Sequence, residues 1–202
     1  MNKNKILTAL AIVGFTAAAQ ATPVTFTFLE NGANTALGSS STFLSGGASM
    51  TAYASPGQTL YAKDGGAGEQ GLGITSDPTG NNEIWGSTFI QLLALGGLPT
   101  LNISFGSTDN GEIANIYSST VLGSLGTLIG SVNSNTTFNI ASIYQNTYIA
   151  VAAGGNAEQG VPNVLLATAT VNTATAPDGG TTIAMLGAAL SAASLIRRKL
   201  VA

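Results

Sequence analysis

Four carboxylates, Asp64, Glu69, Asp77 and Glu83, fall within one stretch of the chain, interleaved with glycines and asparagines. Calcium takes about six to eight hard oxygens from carboxylates, amides and carbonyls, and flexible Gly/Asn loops can deliver them. A structural Ca²⁺ site built from these four residues is one expectation, and a solvated acidic loop is the other. No EF-hand or nonapeptide calcium spacing is present. Glu69 and Glu83 could also pair as the acid and base of a glycosidase, which demands a separation that sequence spacing does not set. Trp85, the single tryptophan, follows Glu83 by two positions. It is a candidate platform for stacking on a sugar ring, or a packing residue on a strand.

The missing residues narrow the chemistry further. The chain has no cysteine and no histidine. That removes thiolate nucleophiles and metal ligands, together with the commonest general base. Catalysis would have to rest on carboxylates, hydroxyls or one lysine, so the expectation is a protein that is not an enzyme. Five of the six bases sit at the two ends: Lys3, Lys5, Arg197, Arg198 and Lys199. Between Thr22 and Ala176 only Lys63 faces eight acids, a net charge of −7. Such a body repels phosphate backbones, so nucleic acid is excluded as a partner.

The elements that would position these groups read as strands. Val24-Thr25-Phe26-Thr27-Phe28 and Leu101-Asn102-Ile103-Ser104-Phe105 alternate apolar and polar residues, and Thr137–Ile140 and Val164–Val171 follow suit. This period of two marks strands with one buried face. Further strands are predicted over Ser49–Tyr53, Thr59–Ala62, Ile84–Leu93, Ile113–Tyr117, Thr127–Ser131 and Thr147–Ala152. Gly-, Asn-, Asp- and Pro-rich turns separate them, and Gly123 and Gly126 argue for a loop over 121–128. The stretch Ala33–Ser49 is either a long exposed loop or weak edge strands. The sum is an all-β, antiparallel β-sandwich of jelly-roll type spanning 22–171, with a short linker at 172–176.

Both ends read as processing segments. Lys3 and Lys5 precede an apolar run that closes in Ala19-Gln20-Ala21, the order of a secretory signal cut by signal peptidase after Ala21. At the other end Pro177 and Asp178 break the chain before Gly179 and Gly180, and residues 181–196 carry no charge. As a helix they would reach about 24 Å, which snorkelling Arg197, Arg198 and Lys199 could extend across a bilayer. Basic residues stay on the cytoplasmic side, so the body lies outside.

Residues 176–187, Ala-Pro-Asp-Gly-Gly-Thr-Thr-Ile-Ala-Met-Leu-Gly, with the closing Arg-Arg-Lys, resemble the PEP-CTERM class of sorting signals, most nearly its VPDSG-type branch. The resemblance covers about 27 residues, 177–202 and the residue before them. Pro177 and Asp178 match the motif's pair and Gly180 its glycine, while Gly179 replaces serine and Ala176 valine. The resemblance implies recognition and cutting by an exosortase, a membrane-embedded transpeptidase-like partner. It also implies an association with exopolysaccharide and biofilm. A plain membrane anchor and a GlyGly-type tail cut by a rhomboid-like protease are the alternatives. Leu60–Lys63, Glu69–Ile74, Asn82–Ile84 and Phe89–Leu92 resemble a β-rich ectodomain common among such proteins, itself similar to galactose-binding-like sandwiches. The resemblance implies no activity. The expected role is therefore a non-catalytic structural or adhesive module at the cell surface or in the matrix, with a lectin-like domain as the alternative.

Overall fold

The structure is a computed structural model of the 202-residue chain. It describes residues 21–66, 68–78, 80–93, 100–108, 111–133, 136–144, 147–155, 161–174, 187 and 190. The chain divides into two units, Ala21–Ala174 and a second made from both ends. The expected signal helix, the sorting motif and the basic stop lie in the second unit and outside the described residues, as does the membrane helix apart from Gly187 and Leu190. No helix among the described residues is long and apolar enough to cross a membrane.

The body is all-β, built from two antiparallel sheets over one apolar core. The larger sheet contains β1 (Ala21–Phe26), β2 (Thr35–Gly38), β5 (Leu60–Asp64), β6 (Gln70–Ile74), β7 (Ile84–Trp85), β9 (Leu101–Gly106), β12 (Thr137–Ile140) and β14 (Asn163–Ala174). Its main path runs β12-β9-β14-β6-β5-β2, with β1 and β7 also paired to β14. The smaller sheet contains β3 (Ser40–Ser45), β4 (Ala48–Ala54), β8 (Phe89–Leu93), β10 (Glu112–Ser119), β11 (Thr127–Val132) and β13 (Tyr148–Gly155), in the order β11-β10-β13-β8-β4-β3.

Alternation sends Val24, Phe26, Ile103, Leu166, Ala169 and Val171 inward from the larger sheet, against Phe43, Met50, Ile90, Leu92, Ile116 and Val151 from the smaller. Phe28 meets Phe43 edge to face, with ring centres 5.0 Å apart. The β3–β4 hairpin turns on Gly46 and Gly47, both at positive φ. That is the geometry a two-residue loop needs to match strand twist. Gln91, fully buried on β8, pins the 121–124 turn by donating to Val121 and Ser124 carbonyls and accepting from the Gly123 N–H.

Three expectations change. The segment Ile84–Leu93 is two strands, not one. Thr88 Oγ1 accepts from the Trp85 N–H and donates to the Trp85 carbonyl, and Gly86 adopts a φ of 51°, so the chain turns between β7 and β8. Residues 172–174, expected as linker, extend β14, because Ala21, Thr22 and Pro23 pair with Ala174, Thr173 and Asn172. β6 was not among the predicted strands. The Ala33–Ser49 stretch holds β2 and β3, and both lie at sheet edges.

Leu166 is fully buried on the central strand. Leu166→Ala is expected to lower the unfolding free energy by about 2–5 kcal/mol, read as a lower urea midpoint at unchanged slope. Leu44→Ser, at a position 71% exposed, is expected to shift stability by less than about 0.5 kcal/mol.

Candidate functional site

The polar cluster of the body gathers at one end of the larger sheet, around the lysine. Leu60 and Ala62 of β5 face the core, so Lys63 emerges on the opposite face, where its backbone partner is Gly71 of β6. Glu69 precedes β6, Glu83 precedes β7 and Ser107 follows β9. Lys63 Nζ donates to Glu69 Oε2 at 2.5 Å and also to Glu83 Oε1. Ser107 Oγ stands 3.1 Å from Glu69 Oε1 and 3.1 Å from each oxygen of Glu83. Glu83 is 1% exposed, whereas the side chain of Glu69 is 39% exposed.

Glycine makes this convergence possible. A Cβ on Gly73 would lie 2.0 Å from the Asn82 carbonyl oxygen and 2.8 Å from Glu83 Cα. The backbone that carries Glu83 therefore rests directly on β6. Asp77, itself buried, accepts from the Glu83 N–H at 3.4 Å through Oδ2. Asn82 and Ser107 both adopt positive φ, 57° and 54°. Non-glycine residues visit that region rarely, and at functional sites more than elsewhere.

The three ionisable groups hold different protonation states. Burial raises the Glu83 pKa to about 7; the Lys63 hydrogen bond and charge oppose the rise, and the nearby Glu69 adds to it. Burial also acts to raise Glu69, but the hydrogen bond and charge of Lys63 outweigh it and hold this carboxyl below its usual range. For Lys63 burial works against the charge, and the two glutamates more than offset it, so its pKa is raised. Near neutrality the cluster is thus an ammonium, a carboxylate and a carboxyl that still shares a proton.

Of the four acids expected as calcium ligands, Glu69 and Glu83 come together and the other two do not join them. Asp64 accepts instead from Gln70 Nε2 at 2.6 Å, and its backbone is tied to Asn34. Asp77 supports the Glu83 backbone. Among the described residues no group of three or more carboxylates could hold a metal ion. The ammonium of Lys63 stands between the two glutamates. Trp85 is half-buried on β7, with its indole N–H buried and without an acceptor among the described residues. Sequence reasoning singled out Lys63 as the body's one base and a conceivable catalytic group without placing it between the glutamates, and it missed Ser107, which sits in a run that reads as a turn.

Beside the cluster, Gly68 and Gly106 line a groove of about 230 Å³ with Thr27, Gln70 and Thr168. No protein-family model, curated protein or solved structure matches the chain.

Lys63→Met leaves two carboxylates around an apolar side chain, and a loss of about 3–5 kcal/mol is expected by urea denaturation. Lys63→Met combined with Glu83→Leu is expected to recover most of it. Gly73→Ala is expected to cost about 1–3 kcal/mol, since rigid backbone has to move. With all three side chains free, Glu83 binds its proton more tightly folded than unfolded, against an unfolded value near 4.5. Its contribution is therefore full below pH 4.5 and is lost as pH rises through 7. The slope is at most about 1.4 kcal/mol per pH unit, and it should vanish in Glu83→Gln.

Proposed function

We propose that the chain is an exported, non-catalytic structural or adhesive module that associates with extracellular polysaccharide. The observation that carries this reading is a charge-free face of the larger sheet. The adjacent strands β1, β14, β9 and β12 contain no charged residue. Thr25, Thr170, Asn102 and Asn139 form one row across them by register, and Thr168, Ser104 and Thr137 form a second. Thr25 Oγ1 bonds Thr170 Oγ1 at 2.9 Å, and Ser104 Oγ bonds Thr168 Oγ1 at 2.6 Å. Hydroxyl and amide groups held in rows match the donors and acceptors of neutral sugars, and no charge repels an acidic polymer there.

The fold belongs, in this proposal, to the jelly-roll or galactose-binding-like sandwiches. Ala19 and Ala21 mark signal peptidase cleavage, and Pro177-Asp178-Gly179-Gly180 is the motif cut by an exosortase-like transpeptidase. A helix ending at Arg197, Arg198 and Lys199 holds the chain in the membrane until then. The support is the PEP-CTERM-like order of motif, apolar segment and basic end. The second reading, a lectin-like domain with a defined pocket, draws on the groove beside Gln70 and Thr168.

Intact-mass measurement of protein from its native host is expected to show loss of residues 1–21 and of residues beyond Pro177. Asp178→Ala should accumulate an uncut, membrane-associated form; finding the whole chain dissolved in the cytosol would overturn the export reading. On a glycan array with and without calcium, the module reading expects no saturable binding to discrete sugars. It expects instead co-sedimentation with bulk polysaccharide, weakened by Thr170→Leu with Asn102→Leu. A saturable signal for one sugar favours the lectin.

A further inference from the structure

The cluster at Lys63 has the parts of a condensation site. We propose that Lys63 and Glu83 close an intramolecular amide, Nζ to Cδ, with Glu69 as proton acceptor, Ser107 as hydrogen-bond donor and one water released.

Geometry comes first. Lys63 Nζ is in hydrogen-bond contact with Glu83 Oε1. A nitrogen so placed stands near the roughly 3–3.5 Å from the carboxyl carbon that a near-attack arrangement requires. Neither partner is on a mobile tether. Lys63 is inside β5, and the Glu83 backbone is seated on Gly73 and bonded to Asp77.

The protons balance without an outside reagent. Lys63 starts as an ammonium, Glu69 as a carboxylate and Glu83 as a carboxylic acid. Glu69 takes one ammonium proton, and the freed amine adds to Glu83 Cδ. The tetrahedral oxygen that gains negative charge is one of the two that Ser107 Oγ reaches at 3.1 Å, where a fixed donor stabilises it most. The Glu83 hydroxyl then leaves as water, carrying its own hydrogen and one from the nitrogen delivered through Glu69. Of the ammonium's three protons, one stays on the amide, one leaves in the water and one ends on Glu69, from which solvent removes it. No electrons are transferred.

Burial supplies the driving force. Glu83 is 1% exposed and the Lys63 side chain 15%. Holding two ionisable groups there carries a desolvation cost that a neutral amide avoids. Seclusion from water also opposes hydrolysis of the product. Glu69, more exposed and held ionised, suits the role of base better than that of acyl partner. The bond would close β5 onto the segment entering β7 across 20 positions, in a chain that has no cysteine for a disulfide. Once closed, Lys63 and Glu83 no longer titrate, so the pH slope expected of Glu83 belongs to the open chain.

The test is the intact mass of the folded full chain, followed by tandem mass spectrometry of its peptides. The expected result is a deficit of one water beyond any end-processing, with Lys63 joined to Glu83 in a branched peptide that trypsin does not cut at Lys63. Lys63→Met and Glu83→Ala should restore the sequence mass. Glu69→Gln should slow closure by about 100-fold or more, as loss of a general base does, and leave open protein that closes on prolonged incubation. Wild-type protein that keeps its full sequence mass after folding and long incubation overturns the proposal, and so does a bond to Glu69. The wild-type measurement decides the matter even where a variant fails to fold.

Discussion

One strand, β14, bears on nearly every other feature of the larger sheet. Its twelve residues pair with β9 along one edge and with β1, β6 and β7 along the other. A strand hydrogen-bonded on both edges has no free ladder groups to lose to water, and its inward side chains are buried by the opposing sheet. Leu166 and Ala169 are fully buried. The same strand also builds the polar site. Asn163 and Val164 pair with Trp85 and Ile84, which aligns the segment behind Glu83. The register shift between Leu166 and Thr168 brings the Leu166 carbonyl to where a Cβ on Gly71 would lie, 2.5 Å away. Core and site are therefore two consequences of one strand's placement.

Charge in the body is scarce and unevenly placed, and that sets the chemistry of the cluster. One cation between two carboxylates leaves a surplus negative charge. A surplus charge is expensive to bury and cheap to leave in water. The two glutamates differ in that respect: Glu69 reaches solvent and stays ionised, while Glu83 is enclosed and retains a proton near neutrality. An asymmetric pair of carboxyls beside a single amine is the outcome. The asymmetry follows first from exposure, since both glutamates touch the same nitrogen, and the charge of Glu69 adds to it.

Strands with a complete alternation were legible from the sequence, and those whose partners suppress side chains were not. Thr137–Ile140 and Leu101–Phe105 emerge at nearly the predicted bounds, because each inward residue is apolar and each outward one polar. β6, Gln-Gly-Leu-Gly-Ile, does not read as a strand because glycine is a poor strand former. Its glycines are explained only by what lies on them, the Asn82–Glu83 backbone and the Leu166 carbonyl. Such contacts are long-range and leave no periodic signal. The same holds for the site. Glu69 and Glu83 stood out as acids at a loop, but their meeting on Lys63 depends on the β5–β6 register, and Ser107 arrives from a strand beyond both. Asp64 and Asp77 looked equivalent to them in sequence and differ only through local hydrogen bonds.

The sheet edges bear on how such a surface behaves among neighbours. β2 and β12 end the main path of the larger sheet, and β3 and β11 bound the smaller one. None of these four strands carries a charged residue. Proteins that must stay apart commonly guard such edges with lysine or proline, or keep them short. Here only brevity serves, with four residues in β2 and four in β12. Leu44 of β3 and Leu128 of β11 are 71% and 52% exposed on the longer edges. In the polymer matrix proposed for the chain, a charge-free hydroxyl face with unguarded edges beside it is less of a liability than in dilute solution. In that setting weak lateral contacts add to cohesion. Gathering Glu69 and Glu83 around Lys63 in one partly buried cluster keeps two of the body's acids off its wide faces.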